Sequence, residues 1–352
     1  MEIKKIQNAD LKDKKVLLRV DFNVSLENGD VKEKFKIEAC KESLDHLMSQ
    51  NAKVALLTYF GRPGGKKNPE YSLDQIKDDV ENVLGCKIKF VPDCIGEDVK
   101  KTMDELSEGE VALLENVRFY AEEGDVEKGT DYDPEFAKKL ADGFDIFINE
   151  AFSQSHRDQA SITGIENILP SFAGFWLQKE IENLEKIKNN PQHPAVAIIG
   201  GAKIETKLPL INSFEKIYDH ILVGGKIANE AIDQKINFGE KVFLPVDFSG
   251  DRLDIGKETI EKFKEIIESA KTIVWNGPMG KFEEQEYAIG TKEILDAVMK
   301  SGAFTLMGGG ESVELLEKEN AMDKISFVST GGGAMLEFLS GNKMPGIDKL
   351  AI

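Results

Sequence analysis

The sequence predicts an α/β protein built from two Rossmann-like, doubly wound parallel-sheet domains joined by a hinge helix. Three observations carry that expectation. Short apolar runs alternate with segments of helical periodicity along the chain, the pattern of a largely parallel sheet covered on both faces. After residue 195, five such runs lead straight into glycine-rich turns. In the first half the loops after the runs are polar and basic instead, so the two halves offer different chemistry on one kind of scaffold.

Taken in order, residues 16–20 predict a strand, 36–49 a helix, 54–57 a strand and 73–84 a helix. A short strand follows at 87–91, a helix at 99–106 and a strand at 111–114. Pro134 opens a helix at 134–141, where its missing N–H is no loss, and 146–148 predict a strand. Residues 172–188 carry apolar positions at helical spacing and predict the connecting helix, closed by the linker 189–194. The second half has its own strands at 196–199, 221–223, 273–275, 304–306 and 326–328. The predicted organisation is an N-terminal domain over 1–171, a hinge over 172–190, a C-terminal domain over 191–340, and a tail over 341–352 packing back near the first domain. The length of 352 residues suits two domains of ordinary size.

A formal charge of −18 and a pI near 4.9 argue against nucleic acid and anionic membrane as main partners. Cys40, Cys86 and Cys94 show no metal or redox spacing and read as small apolar residues in a reducing compartment. The polar start predicts no signal peptide, and no apolar run is long enough to span a bilayer. A cytoplasmic protein is the expectation.

The stretch VAIIGGAKIETK, residues 196–207, shows what the glycine turns can do. An unbroken apolar run suits a strand buried on both faces. Gly200 and Gly201 then allow a tight turn and close approach of a ligand to the main chain. A helix starting there aims unpaired N–H groups at that ligand, and Lys203 and Lys207 add positive charge, so a phosphate fits. The device recurs as VGG at 223–225, NGPMG at 276–280, MGGGE at 307–311 and STGGGA at 329–334. Loops at the C-terminal ends of parallel strands line one crevice, so five such loops suggest a nucleotide cleft. None is GxxxxGK[ST] or a full GxGxxG.

In the first half the strands lead into Asp21-Phe22-Asn23, into Tyr59-Phe60-Gly61-Arg62, into Asn116-Val117-Arg118, and into a segment ending in His156-Arg157. The chain has only five arginines, and Arg62, Arg118 and Arg157 all follow strand ends. Arginine's planar fork suits carboxylate and phosphate oxygens. A small, multiply anionic substrate is the reading; three separate structural ion pairs are the alternative. Together the halves suggest phosphoryl transfer across a closing cleft.

RVDFNV, FGRP, LLENVRF, HR, GGAK, VWNGPMG, GGGE, STGGGA and LEFL with PGI, in order from Val16 to Ile347, resemble phosphoglycerate kinase. The resemblance implies reversible phosphoryl transfer between 1,3-bisphosphoglycerate and ADP, with Mg2+ carried by the nucleotide, in a monomer. It places Asp21, Asn23, Lys36, Tyr59, Arg62, Arg118 and Arg157 at the 3-phosphoglycerate site. Gly201, Ala202, Lys207, Gly224, Asn276, Pro278, Glu283, Gly308, Gly309, Gly310, Glu311 and Ser312 fall at the nucleotide, with Glu311 near its magnesium. Lys36, Lys203, Lys207, Gly309 and Gly332 fall at the transferring group.

The chain also departs from that pattern. Lys36 stands where the family has arginine, Tyr59 where it has histidine, and Glu311 where it has aspartate. NEAFSQSHRDQ replaces an NDAFGTAHRAH-like segment, and Lys226 and Lys281 replace small residues. Tens of residues are missing between Gly239 and Asp254, with Arg252 near the expected base. An active kinase is the favoured reading, since Lys36 keeps a charge and Glu311 a carboxylate. A binding paralogue or a kinase of other acyl phosphates are the alternatives.

Overall fold

The computed structural model describes residues 1–124, 129–202 and 204–352, without the side chains of Glu205 and Thr206. The chain forms two compact units, Met1–Ile181 with Lys343–Ile352, and Glu182–Asn342.

The first unit is built on six strands: β1 (Lys15–Arg19), β2 (Lys53–Leu57), β3 (Lys87–Val91), β4 (Glu110–Leu114), β5 (Ile146–Asn149) and β6 (Ser171–Ala173). Their order is β3-β4-β2-β1-β5-β6, and every pair is parallel. Val16 sits opposite Val54 on one side and Ile146 on the other. The four residues after Lys15 in β1 and all of β5 are buried without alternation, as a sheet covered on both faces requires. Strand order reverses between β1 and β5, which puts the binding crevice at their C-terminal ends.

Helices in this unit differ from the sequence expectation at their ends. The helix expected over 36–49 is two pieces, Phe35–Glu38 and Lys41–Ser49, because Cys40 flattens to φ −86°, ψ −5°. The helix expected over 73–84 opens with a tighter 3-10 turn, Leu73–Ile76, before Lys77–Leu84. Gly85 at φ 73° closes it, its N–H bonding Glu81 O at 2.9 Å.

The connecting helix requires a correction. It does not begin at Phe172: Ser171–Ala173 is the strand β6, paired in parallel with β5. Gly174 then turns the chain, its N–H bonding Asn149 O at 2.9 Å, and the helix runs Phe175–Asn189. Phe172 and Phe175 lie three residues apart, so helical spacing absorbs the strand residue. The change from one unit to the other falls within this helix, between Ile181 and Glu182. The C-terminus returns to the first unit, where Ile3 bridges Ala351 and Lys4 N–H bonds Leu350 O at 2.8 Å.

The second unit repeats the plan with β7 (Ala195–Ile199), β8 (His220–Val223), β9 (Val242–Phe243), β10 (Thr272–Asn276), β11 (Phe304–Gly308) and β12 (Phe327–Ser329). The order is β9-β8-β7-β10-β11-β12, again all parallel. β7 and β10 are buried throughout, and the order reverses between them. No helix among the described residues is long and apolar enough to cross a membrane.

Candidate active site

In the first unit, Arg62, Arg118 and Arg157 line one cavity of about 280 Å³, with Gly64, Gly65, Tyr120, Glu123, Thr130 and Gln159 among its other walls. Each arginine comes from the loop after a different strand, β2, β4 and β5, so sheet topology gathers what the sequence scatters. Asn116 shapes the second loop. Its Nδ2 donates to Phe60 O at 2.7 Å and Tyr71 O at 2.9 Å, and its Oδ1 accepts Arg118 N–H at 3.0 Å. Arg157 Nε donates to His156 Nε2 at 3.3 Å.

Asp21, Asn23 and Lys36 form a second cluster, which is joined to the cavity through Gly61. Gly61 N–H donates to Asn23 Oδ1 at 2.8 Å, and Gly61 O accepts Arg118 Nη1 at 3.2 Å. Lys36 Nζ donates to Asn23 O at 2.8 Å and stands 4.0 Å from Asp21 Oδ2. Ser153 Oγ donates to the same Asp21 oxygen. Tyr59 is buried and does not face the cavity; its hydroxyl accepts Gln154 Nε2 at 2.8 Å.

Beneath these groups Arg19, the last residue of β1, is almost fully buried. Its Nε donates to Ser161 Oγ at 2.9 Å, and Ser161 N–H donates to Glu123 at 2.9 Å. Burial pushes the Arg19 guanidinium down and the Glu123 carboxyl up, and the attraction between them opposes both shifts. Sequence reading missed Arg19, Glu123 and Gln154. The sequence signal was an arginine ending an apolar strand, with Glu123 and Gln154 in the stretches after two later strands.

In the second unit, three loops cross in backbone contact. Gly200 N–H bonds Asn276 O at 2.8 Å, Gly225 N–H bonds Met279 O at 2.8 Å, and Ile227 N–H bonds Gly201 O at 3.1 Å. A side chain at Gly200 would run into Pro278 O, and one at Gly332 would fall 2.6 Å from Gly309 Cα. These glycines are therefore there for close approach. Gly309 and Gly332 thus stand face to face at the starts of the helices Gly310–Lys318 and Gly332–Leu339.

Asn276 ties the loops together. Its Nδ2 donates to Gly308 O at 2.6 Å and its Oδ1 accepts Lys207 Nζ. Burial lowers Lys207 to about 8, against the opposing pull of Glu311. Ser312 Oγ accepts Gly277 N–H at 3.1 Å. Lys203 lies outside the described residues.

Gly201, Ala202, Pro278, Glu283 and Glu311 line a cavity of about 500 Å³. Gly224, Gly308 and Gly310 frame the loops around it without lining it. Lys207 lines a neighbouring hollow with Gly333. Local desolvation, then the Glu283 carboxylate, push the Glu311 carboxyl up, and Lys207 pulls it back. Lys226, Asn229, Glu230 and Asp233 also face the larger cavity. Their spacing along the helix Gly225–Asp233 puts them on one face, a stripe the sequence already contained. Arg252 closes a wall: Nη1 donates to Asp233 at 2.8 Å, Nη2 to Asn229 O at 2.9 Å and Nε to Asn229 Oδ1 at 3.2 Å.

One parallel-sheet unit with an arginine cavity and another with crossed glycine loops match known proteins closely. The phosphoglycerate kinase family model matches residues 6–249 and 246–342. The chain belongs to the phosphoglycerate kinase family. It is 39% identical to the phosphoglycerate kinase of Moorella thermoacetica over 388 residues, covering 97% of each chain. It is 38% identical to that of Borrelia turicatae over 396 residues, covering 99% of this chain and 100% of the relative. The crystal structure of phosphoglycerate kinase from Pyrococcus horikoshii OT3 superposes with a TM-score of 0.88 at 30% identity, covering 99% of this chain and 98% of that one. The structure of the Coxiella burnetii enzyme gives 0.79 at 31% identity, covering 99% of each. As a member of that family the chain is a phosphotransferase. The Borrelia alignment spans 396 positions against 352 residues here, so that relative carries segments this chain lacks. The two matched pieces of the family model meet at residues 246–249, inside the shortened interval between Gly239 and Asp254.

Proposed function

We propose that this chain is a catalytically active kinase that takes 3-phosphoglycerate in the first unit and ADP or ATP in the second. The observation that carries the substrate assignment is the single cavity lined by Arg62, Arg118 and Arg157 from three separate loops. Three guanidinium forks in one cavity suit a ligand with both a phosphate and a carboxylate. Asp21, Asn23 and Lys36 orient the glycerate end beside it, with Lys36 supplying charge to the transferring group. The nucleotide phosphates lie against the Gly201–Ala202 turn and the helix start at Gly309–Gly310, where unpaired N–H groups favour anions.

Magnesium enters on the nucleotide. Among the described residues no cluster of three or more His, Cys, Asp or Glu side chains could hold a metal by itself. Glu311, at the first turn of its helix and facing the larger cavity, is a single hard oxygen ligand, direct or through water. That donor set fits an ion that keeps waters and phosphate oxygens as its other ligands. Bound there, magnesium would neutralise charge on the phosphates. The monomer, in the cytoplasm, is the working form in this reading, and a mass measurement in solution checks the first part.

The deciding assay is ATP formation from 1,3-bisphosphoglycerate and ADP. Saturable, magnesium-dependent turnover is the expected result, and binding of both ligands without turnover would reduce the chain to a binding protein. Arg62→Ala, Arg118→Ala and Arg157→Ala should each weaken 3-phosphoglycerate by about 1.5–3 kcal/mol and spare ADP. Unchanged affinity in all three would remove the site.

A further inference from the structure

Tyr59 lies two residues past the end of β2 and is 5% exposed. Two guanidinium groups lie over its ring, with Arg118 Cζ 3.7 Å from the ring centroid and Arg19 Cζ 5.6 Å away. The phenol oxygen accepts Gln154 Nε2 at 2.8 Å, and Oε1 of the same amide accepts Arg118 Nη2 at 3.4 Å. Ring and hydroxyl thus hold one guanidinium from two directions, while Gly61 O takes Nη1.

Arginine's five N–H donors leave Arg118 with others to offer an anion after these two are committed. A long side chain held in advance loses less freedom when the ligand arrives. An electron-rich ring face is also a favourable seat for a cation. A phenolate at this place would be drawn to Arg118 and Arg19, so their charge opposes the effect of burial on the hydroxyl. Burial keeps the Tyr59 hydroxyl protonated, raising it above the ordinary phenol value. The neutral ring offers both guanidinium groups its face.

We propose that Tyr59 is a positioning residue for Arg118, fixing its guanidinium toward 3-phosphoglycerate without touching the substrate itself. The inference rests on the reading that Arg118 binds that substrate.

The test is a mutant cycle read by steady-state kinetics with 3-phosphoglycerate and ATP. Tyr59→Leu should raise KM for 3-phosphoglycerate roughly tenfold, leaving KM for ATP and most of kcat in place. In the Arg118→Ala background the same substitution should add nothing, because the group it positions is gone. An unchanged KM in Tyr59→Leu, or its full effect repeated on top of Arg118→Ala, overturns the proposal. Failure of Arg118→Ala alone to raise that KM sinks the site assignment instead. Should Tyr59→Leu not fold, Tyr59→Phe and Gln154→Ala cut the hydroxyl link while keeping the ring. Each should raise the same KM by about threefold, and only when Arg118 is present. No change in either overturns the proposal just as plainly.

Discussion

The carboxyl group of Glu150, from the loop after β5, caps the helix Phe175–Asn189 by accepting Leu177 N–H at 3.0 Å. Trp176 N–H donates to it at 3.0 Å, and Ser43 Oγ also donates. It thereby satisfies orphan donors at the start of the helix in which the chain changes units.

Burial outweighs those hydrogen bonds and raises Glu150 to about 7. The folded state holds this proton more tightly than the unfolded chain does. Its stabilising contribution is therefore complete below the unfolded value of 4.5 and is lost as pH rises toward about 7. Glu150→Gln cannot ionise, so the difference in unfolding free energy between the two proteins should shift by on the order of 3 kcal/mol across that window. Denaturant melts at pH 4.5, 6 and 7.5 read it. Parallel curves for both proteins would mean that Glu150 does not titrate there.

Lys207 is held among the glycine loops by Asn276. Burial lowers it to about 8, and only its charged form attracts nucleotide phosphates. ADP affinity should fall above pH 8, by up to about tenfold per pH unit. Lys207→Arg stays charged through this range, so the decline should vanish in that variant. Calorimetric titration of ADP from pH 6.5 to 9.5 decides it, and identical profiles in both proteins would remove Lys207 from phosphate binding.

The parts legible in the sequence share a physical cause. Strands such as β1 and β7 are buried on both faces, so their apolar runs are unbroken and the loops after them stand out. That alone located Arg62, Arg118, Arg157 and the Gly200–Gly201 turn. What stayed hidden depends on partners far away in sequence. Arg19 reads as a charge at a strand end, yet Ser161 and Glu123 from later loops seal it inside. Tyr59 reads as a ligand contact, and only the fold reveals Gln154 and Arg118 on it. β9 has two residues, and β6 has three and runs almost directly into a helix. Neither is long enough to display a period.

Arg252 closes a wall of the proposed nucleotide cavity, in the shortened interval between Gly239 and Asp254. Its bonds to Asn229 and Asp233 leave it about one-third exposed, so water competes at this wall with any base. A site that does not bury polar groups against the base discriminates weakly. The kcat/KM for ADP should therefore exceed that for GDP by less than roughly a hundredfold. Arg252→Ala should raise KM for ADP and leave KM for 3-phosphoglycerate unchanged. A much stronger preference for ADP would show that the base is enclosed by other groups.

Lys36 is the sharpest test of catalysis in this chain. It sits in the short helix Phe35–Glu38, its side chain 15% exposed, with Nζ on Asn23 O and near Asp21. A merely solvated lysine would not be held on Asn23 O beside Asp21. A transferring phosphoryl group spreads negative charge over its oxygens, and its stabilisation comes from fixed positive charge. Lysine supplies that charge from a single point, whereas the arginine usual in the family supplies a fork. Lys36→Ala should therefore lower kcat by about 10²–10³ with little change in KM for ADP. It should also weaken 3-phosphoglycerate, because Asp21 would then face an anionic ligand without its neighbouring cation. Lys36→Arg should keep or raise the rate, which a loss of packing alone would not allow. An unaltered kcat in Lys36→Ala would move the catalytic charge elsewhere, with Lys207 the next group to test.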